Sequence, residues 1–256
     1  MASAPNPIIV TVSGLIGSGK TSVCRELSLL TGWRVISAGT ILRRMAEERG
    51  LSVIELNEIA KTDETIDKLI DDQLIALRNS PESLIVDSRL AWHFIAKSYK
   101  IHLVVDTEIA GDRVFRAQRS DELYATPQDA YAANAQRQTI ENERFQHYYG
   151  IDCEDWRNYD LILDSSTLAP KELGRIMHDA VRVPPPVASC LLSPLRLHFE
   201  GSSEPEADSL EITVIDGAIH VVRGAGIVKQ AIAKGDELVA ARLVHYELHA
   251  GVVVRR

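Results

Sequence analysis

A glycine-rich segment near the start of the chain has the residue types and spacing of a phosphate-binding loop. The sequence GLIGSGKT at 14–21 lies between an apolar run at 8–12 and a helical pattern at 22–30. In the P-loop motif, glycines at this spacing let successive backbone N–H groups surround phosphate oxygens. The positive end of the following helix faces the same anion. The sequence therefore predicts a site for a nucleoside triphosphate.

Two side chains of this loop are expected to do more than hold its shape. Lys20 should reach the β- and γ-phosphates, and the hydroxyl of Thr21 should be a ligand of Mg²⁺. The alternative is a chance glycine-rich turn, and the flanking strand and helix patterns argue against it. The residues expected to bind the nucleotide are Gly14, Gly17, Ser18, Gly19, Lys20, Thr21 and Ser22.

The overall composition limits the classes of partner. The 256 residues suffice for one large domain, or for a medium domain and a small one. A formal net charge of −8 argues against a general nucleic-acid-binding protein, so any polyanion site must be a local cluster of arginines. Three separated cysteines argue against a metal site or a disulfide framework. Because the sequence has no secretory signal pattern at 1–7 and no apolar run that could span a bilayer, a cytoplasmic location is expected.

Short apolar runs alternate with helical patterns over about the first 180 residues, as in an α/β protein with a parallel sheet. This pattern predicts a P-loop fold with three αβα layers around a five-stranded parallel sheet. A helical insertion is expected at about 37–80, and a polar helical lid with little core-facing surface at about 112–150. Strands are expected at 8–12, 33–37, 83–87, 101–106 and 159–163.

The proline-rich segment at 183–186 marks a change in the character of the chain. Proline fixes φ and lacks an N–H donor, so the segment predicts a stiff linker. It divides the chain into a P-loop domain, 1–183, and a small C-terminal α+β domain, 187–256. In the latter, two strands, a helix and a final strand are expected before residue 244. We expect few contacts across the boundary, and a P-loop domain that is complete without the tail.

Further segments in the P-loop part resemble one family. They are residues 36–43, 46–52, 89–91, 137–150 and 159–161, in this order after the P-loop. Together they resemble the archaeal-type cytidylate kinase family over about residues 8–180. The resemblance implies transfer of the γ-phosphate of ATP to a nucleoside monophosphate, CMP or dCMP, with Mg²⁺ as cofactor. Two alternatives stay open: a kinase of another small acceptor, and an ATP-binding regulatory module with little turnover.

Arginines suit an acceptor phosphate, because the planar guanidinium binds two phosphate oxygens at once. By the resemblance, Arg137 and Arg144 are lid arginines that contact the transferring group, and Arg113, at the base of the lid, is expected to bind ATP together with the P-loop. The alternative for each arginine is a structural ion pair, since Glu141 and Glu143 lie at helical spacing from the lid arginines. The implied acceptor-binding residues are Ser37, Gly39, Arg43 and Arg89.

Three acidic residues of this part bear on the site. Asp87 ends a predicted strand, where an acid can orient Mg²⁺ through water. It is followed by Ser88, where the family has glycine, and this side chain could crowd the acceptor or add a hydrogen bond. Asp67 and Asp71 lie one helical turn apart and could meet an exocyclic amino group of a base. We expect them instead to form the exposed face of a helix, outside the site.

The tail resembles the ParB-like domains in its order of strand, Asp-Gly turn, strand, short helix and final strand. Arg223, Gly224 and Ala225 stand where that family has a turn and a His-Arg pair, so the residues that give such domains activity are missing. An unrelated small β-rich unit is the alternative. In either case the tail sequence carries no phosphate loop or basic patch. Regulation, homodimer formation or binding of a protein partner is expected of it.

Overall fold

The centre of the molecule is a parallel sheet, as the alternating sequence pattern predicts. The computed structural model describes residues 6–60, 62–117, 124–183, 189–199 and 207–247. The first strands are β1 (Ile9–Gly14), β2 (Arg34–Ser37), β3 (Leu84–Asp87), β4 (Tyr99–Val104) and β5 (Leu161–Asp164). They lie in the order β2-β3-β1-β4-β5, and every neighbouring pair is parallel. The predicted five-stranded parallel arrangement is confirmed.

Helices cover both faces of these strands. They are α1 (Lys20–Thr31), α2 (Ala38–Glu48), α3 (Val53–Ile59), α4 (Glu64–Ala76), α5 (Ala91–Phe94), α6 (Thr107–Ala117), α7 (Pro127–Tyr149) and α8 (Pro170–Arg182). Leu27 of α1 and Met177 of α8 are buried in the apolar cluster on one face. Leu74 of α4 and Phe145 of α7 belong to the cluster on the other, which gives the three αβα layers. In the described part of the chain, no helix has the length and apolar character needed to cross a membrane.

Helices α2, α3 and α4 form the insertion between β2 and β3. Each begins at a side chain that accepts a hydrogen bond from a backbone N–H of the first turn, namely Ser37, Ser52 and Asp63. Such caps satisfy donors that the helix itself leaves unpaired. The three helices share an apolar cluster that includes Leu56 and Ile66. The insertion therefore has its own small core, and it starts at the carboxyl end of β2.

Helices α6 and α7 form the helical lid. They approach closely at Gly111 of α6, where a Cβ would lie 3.2 Å from the Cβ of Tyr131 in α7. The second half of α7 packs against the body of the protein, because Ile140 and Phe145 are buried. The expectation of little core-facing surface is therefore wrong for this half of the lid. Residues 118–123, with Arg119 of the arginine-rich region, lie outside the described residues.

The tail contributes β6 (Ser189–Leu192), β7 (Leu197–His198), β8 (Glu211–Ile215), β9 (Ala218–Arg223), α9 (Ala225–Lys234) and β10 (Val239–Glu247). The expected order of two strands, a helix and a final strand corresponds to β8, β9, α9 and β10. Between β8 and β9, Asp216 and Gly217 have φ values of +50° and +81°. Two left-handed residues are what a tight Asp-Gly hairpin turn requires.

The sheet continues across the predicted domain boundary. Strand β6 pairs in parallel with β5, with Leu161 opposite Ser189 and Leu163 opposite Leu191. Strand β10 then pairs antiparallel with β6 and parallel with β8, and the sheet ends in the order β6-β10-β8-β9-β7. The tail thereby covers an edge that β5 would otherwise present unpaired.

A hydrophobic cluster also spans the boundary. Trp92 and Tyr159 of the P-loop part are buried together with Leu192, Ile212 and Val239 of the tail. The expectation of few contacts between the two parts is therefore wrong: the pattern of prolines did not reveal a strand pairing between distant segments. The linker prolines at 184–186 lie outside the described residues. The division of the chain into two domains there remains a proposal.

Candidate active site

A cavity of about 480 Å³ opens at the carboxyl ends of the parallel strands. The P-loop forms one side, and the ends of β2 and β3 with helices α2, α4, α6 and α7 form the others. Open α/β sheets bind ligands at this edge. The predicted site residues that line the cavity are Gly17, Ser18, Gly19, Lys20, Thr21, Ser22, Ser37, Gly39, Arg43, Asp87, Arg89, Arg113, Arg137 and Arg144.

The loop between β1 and α1 has the backbone shape that phosphate binding requires. Gly17 and Gly19 have φ values of +82° and +79°, which side chains with a Cβ rarely adopt. At Gly17 a Cβ would also lie 2.7 Å from the carbonyl oxygen of Ala110 in α6. The hydroxyl of Ser18 is buried and has no hydrogen-bond partner in the described part of the chain. A phosphate oxygen would supply that partner, so the loop fits a triphosphate.

Gly14 contacts the sheet and does not line the cavity. Its φ is +145°, and a Cβ there would lie 2.4 Å from the carbonyl oxygen of Leu103 in β4. The same carbonyl accepts a hydrogen bond from the backbone N–H of Leu15. The missing side chain lets the end of β1 lie against β4. Gly14 therefore shapes the start of the loop, and its part in nucleotide binding remains a prediction.

Lys20 is folded back onto the loop that precedes it. Its Nζ donates to the carbonyl oxygens of Gly14 and Leu15, at 2.8 and 3.0 Å. Burial lowers the pKa of Lys20 to about 8, an effect that the neighbouring carboxylate of Asp87 partly offsets. The ammonium is still mostly protonated at neutral pH. Phosphate oxygens in the loop would offer it stronger, charged acceptors than these two carbonyls.

One carboxylate oxygen joins the P-loop to the acceptor side of the cavity. Oδ2 of Asp87 accepts hydrogen bonds from Oγ1 of Thr21 at 2.9 Å and from Oγ of Ser37 at 3.4 Å. Carboxylate and hydroxyl oxygens are ligands that Mg²⁺ prefers. The ion usually keeps several water ligands and also binds phosphate oxygens of the substrate. Within the described residues, no group of three or more His, Cys, Asp or Glu forms a metal site. Thr21 and Asp87 thus fit Mg²⁺ held jointly with phosphates and water.

A buried ion-pair network connects the end of β3 to the lid. Nη1 of Arg89 lies 2.7 Å from Oε2 of Glu141 in α7, and Nε of Arg137 lies 2.9 Å from Oε1 of the same carboxylate. The other terminal nitrogen of Arg89 donates to Oδ1 of Asn142 at 2.9 Å. Burial by itself raises the pKa of Glu141, but the two guanidiniums outweigh burial and lower the pKa to about 2. Glu141 is therefore ionised and orients both arginines at the cavity.

Arg144 connects α7 to the insertion. Its side chain is 4% exposed, its Nε lies 2.9 Å from Oδ2 of Asp67 in α4, and its Nη1 donates to Oδ1 of Asn57 in α3 at 2.9 Å. These partners fix the guanidinium at the wall of the cavity. Each of Arg89, Arg137 and Arg144 therefore forms an ion pair, which is the alternative that the sequence left open. All three ion pairs lie at the edge of the same cavity.

Asp67 and Asp71 are buried, and both line the cavity. The expectation of an exposed helix face is wrong for them, because α7 packs over this side of α4. Oδ2 of Asp71 accepts a hydrogen bond of 2.6 Å from the hydroxyl of Tyr149, whereas Oδ1 is buried without a hydrogen-bond partner among the described residues. Burial raises the pKa of Asp71 to about 6, and the negative charge of Asp67 adds to the rise.

Three further predicted positions have local roles. Nη1 of Arg43 lies 3.6 Å from the place that a Cβ of Gly39 would take, so the two residues face the same part of the cavity. Arg113 donates through Nη2 to the carbonyl oxygen of Ser165 at 2.7 Å. The hydroxyl of Ser88 accepts from the backbone N–H of Leu90 at 3.2 Å. That hydroxyl therefore stabilises the turn before α5, as short polar side chains often do.

Similarity to known proteins can be set beside this geometry. The model of the cytidylate kinase-like family matches residues 9–167, which is more than half of the chain. The chain belongs to the cytidylate kinase-like family. The match ends before β6, so it covers the P-loop, insertion, lid and β5 but not the tail.

Two relatives illustrate the similarity. A cytidylate kinase of Methanoregula boonei is 36% identical over 174 residues, which cover 67% of this chain and 93% of the relative. A protein of Lacinutrix mariniflava named S-adenosylmethionine-dependent nucleotide dehydratase is 34% identical over 169 residues. The match covers 66% of this chain but only 34% of that relative, so the chain spans about a third of its length.

A solved structure supports the fold of the cytidylate kinase-like part. An uncharacterised protein from Eubacterium ventriosum aligns with a TM-score of 0.54 at 14% identity. The alignment covers 69% of this chain and 99% of the other. At this identity the likeness concerns the fold alone.

The ion-pair network gives the first testable prediction for this cytidylate kinase-like protein. Glu141→Gln removes the buried carboxylate that pairs with two largely buried guanidiniums, which should cost about 3 kcal/mol of unfolding free energy. The pKa of Glu141 is lower in the folded state than its ordinary value of 4.5. The ionised side chain therefore contributes to the stability of the fold above pH 4.5, and this contribution is lost as the pH falls towards 2. Thermal melting across this range measures both effects.

The matched control is Glu143→Gln, which removes the same charge from an exposed position two residues away on α7. Its melting temperature should stay within about a degree of wild type at neutral pH, as expected for an exposed substitution. Equal melting temperatures for Glu141→Gln and wild type would contradict the assigned role of the network.

Proposed function

We propose that the protein transfers the γ-phosphate of ATP to a nucleoside monophosphate, CMP or dCMP. The observation that carries the proposal is the cavity that a P-loop and four arginines, Arg43, Arg89, Arg137 and Arg144, line together. A triphosphate loop alone is compatible with many nucleotide-binding proteins. A second set of phosphate-binding side chains opposite it is what transfer between two phosphorylated ligands requires.

The P-loop side suits the donor. Phosphoryl transfer needs alignment, charge neutralisation and exclusion of water, with little covalent work by the protein. The N–H groups of the loop and the start of α1 hold the phosphates, and Lys20 places a positive charge beside the transferring group. Thr21 and Asp87 are the residues that would hold Mg²⁺. When bound, Mg²⁺ neutralises charge on the phosphate oxygens.

The arginine side suits the acceptor phosphate. Arg89 and Arg137 approach the cavity with orientations already fixed by Glu141, so little side-chain freedom is lost when an anion binds. A guanidinium whose partner is a carboxylate keeps further N–H groups for phosphate oxygens, because it has five. Arg43, beside Gly39, lies on the insertion and can approach the same anion from another side.

The acids of α4 suit a base that carries an amino group. The unpartnered Oδ1 of Asp71 is an acceptor at the cavity wall, with Asp67 one turn away. Cytosine presents an exocyclic amino donor, and uracil presents a carbonyl at the same place. An acceptor here therefore favours CMP over UMP. The curated name of the Methanoregula boonei relative is consistent with cytosine, and the name of the Lacinutrix mariniflava relative is consistent with a nucleotide ligand.

Loss of the Lys20 charge tests the transfer itself. Lys20→Ala should lower CMP-dependent release of ADP from ATP by about a hundredfold or more, because the charge stabilises the transferring phosphate. A coupled assay of ADP release, with and without CMP, measures this. Arg25→Ala, at an exposed position of α1, is the control and should keep wild-type turnover. Turnover by Lys20→Ala near the wild-type rate would remove the P-loop from the mechanism, and tight ATP binding without turnover in wild type would favour a regulatory module.

A change of one acid tests the assignment of the base. Asp71→Asn replaces an acceptor by an amide that can also donate, so the ratio of kcat/KM for CMP to that for UMP should fall about tenfold or more. Asp72→Asn, the exposed neighbour, is the matched control and should leave the ratio unchanged. An unchanged ratio in Asp71→Asn would separate this residue from recognition of the base.

The same variant, Asp71→Asn, should weaken recognition of the base but raise the stability of the folded protein at neutral pH. The folded-state pKa of Asp71 is raised, so the protonated group is favoured in the folded protein and this contribution is lost as the pH rises through about 6. Above that pH, Asp71→Asn should be more stable than wild type by on the order of 1 kcal/mol, since it removes a buried charge. The difference should vanish below pH 4. Reduced stability at pH 8 would contradict this.

A further inference from the structure

A carboxylate at the carboxyl end of β5 is buried completely and faces the tail. Asp164 is 0% exposed. Its Oδ2 lies 2.9 Å from Nη1 of Arg196 and accepts a hydrogen bond of 3.2 Å from the backbone N–H of Ser193. Both donors belong to the tail, in the turn that follows β6. A carboxylate removed from water to this extent requires a countercharge, and Arg196 of the tail supplies it at the end of β5.

The other oxygen of the same carboxylate holds the loop that follows β5. Oδ1 of Asp164 accepts from the backbone N–H of Ser166 at 2.9 Å and from its hydroxyl at 2.6 Å. The hydroxyl oxygen of Ser166 accepts in turn from the backbone N–H of Asp106, next to β4, at 2.9 Å. Asp164 therefore fixes the loop in relation to the tail on one side and to the sheet on the other.

This loop holds Arg113 in place at the cavity. Nη2 of Arg113 donates to the carbonyl oxygens of Ser165 and Ser166, at 2.7 and 3.3 Å. Arg113 lines the cavity together with Leu168 of the same loop. A continuous series of contacts thus runs from the tail, through Asp164 and the loop, to the wall next to the P-loop.

We propose that Arg196 is a positioning residue for the donor nucleotide. Its guanidinium pairs with the carboxylate of Asp164. This ion pair holds residues 164–168, and with them Arg113, in the arrangement that binds ATP. Arg196 lies outside the segment that the family model matches, so the tail completes a site of the P-loop part. On this proposal the P-loop part needs the tail for full affinity for ATP, in contrast to the expectation of a P-loop part that is complete without it. This proposal rests on the proposed function in one respect, which is that ATP, and not the acceptor, occupies the cavity next to the P-loop.

The test measures equilibrium binding on the full chain, without turnover. Calorimetric titration with a non-hydrolysable ATP analogue should show Kd raised about tenfold in Arg196→Ala, a coupling typical of residues that act through another. The Kd for CMP should change less than twofold. Arg196→Lys keeps the charge and should recover part of the affinity for the analogue. Added guanidinium ion should restore it in Arg196→Ala more than sodium ion at the same ionic strength.

The tail offers a matched control. Arg242 forms an ion pair with Glu211 at an exposed position, so Arg242→Ala should leave both Kd values unchanged. Arg196→Gln, which keeps a hydrogen-bond donor, takes the place of the alanine variant if that variant does not fold. A folded Arg196 variant with an unchanged Kd for the analogue, or with equal loss of analogue and CMP, would overturn the proposal. The titration measures binding and not transfer. A wild type that binds the analogue without catalysing transfer would therefore contradict the proposed function, whereas the comparison of Kd values would still test the role of Arg196.

Discussion

The carboxylate of Glu141 is the interaction on which the rest of the site depends. Several arginines can face one cavity only if their mutual repulsion and their loss of hydration are offset. Glu141 pairs with Arg89 from the end of β3 and with Arg137 from the lid, so one buried negative charge fixes the sheet and α7 in relation to each other. Asp67 does the same for Arg144 and the insertion. The acids thereby hold in place the cations that a phosphate would meet.

The tail takes part in this arrangement on two sides. Arg196 contacts Asp164 beside the loop that holds Arg113. On the other side, the hydroxyl of Tyr246 in β10 donates to the backbone carbonyl of Glu154. The side chain of Glu154 accepts from Asn142, the residue that also accepts from Arg89. A continuous sheet and a shared hydrophobic cluster support these contacts. The tail is therefore integrated in structure with the P-loop part.

Local chemistry was predictable from the sequence, and long-range pairing was not. The P-loop residues Lys20 and Thr21 line the cavity, and the sequence indicates them because the spacing of glycines and the adjoining strand and helix act within a short segment. The partner of Arg89 lies 52 residues away in the chain, so no local pattern indicates it. Asp71 has the pattern of an exposed helix position until Tyr149 of α7 covers it. The pairing of β6 with β5 likewise depends on a register between distant strands, and the intervening prolines indicated a separation instead.

The proposed transfer requires that one cavity holds a nucleoside triphosphate and a nucleoside monophosphate at the same time, with their phosphates in line. A bisubstrate analogue, adenosine and cytidine joined through five phosphates, measures this most directly. We expect this analogue to bind at least about a hundredfold more tightly than ATP or CMP alone, since linking the two ligands makes the second contact intramolecular. It should also displace each of them competitively. Displacement of ATP without displacement of CMP, or an affinity no better than that of ATP, would contradict the shared cavity.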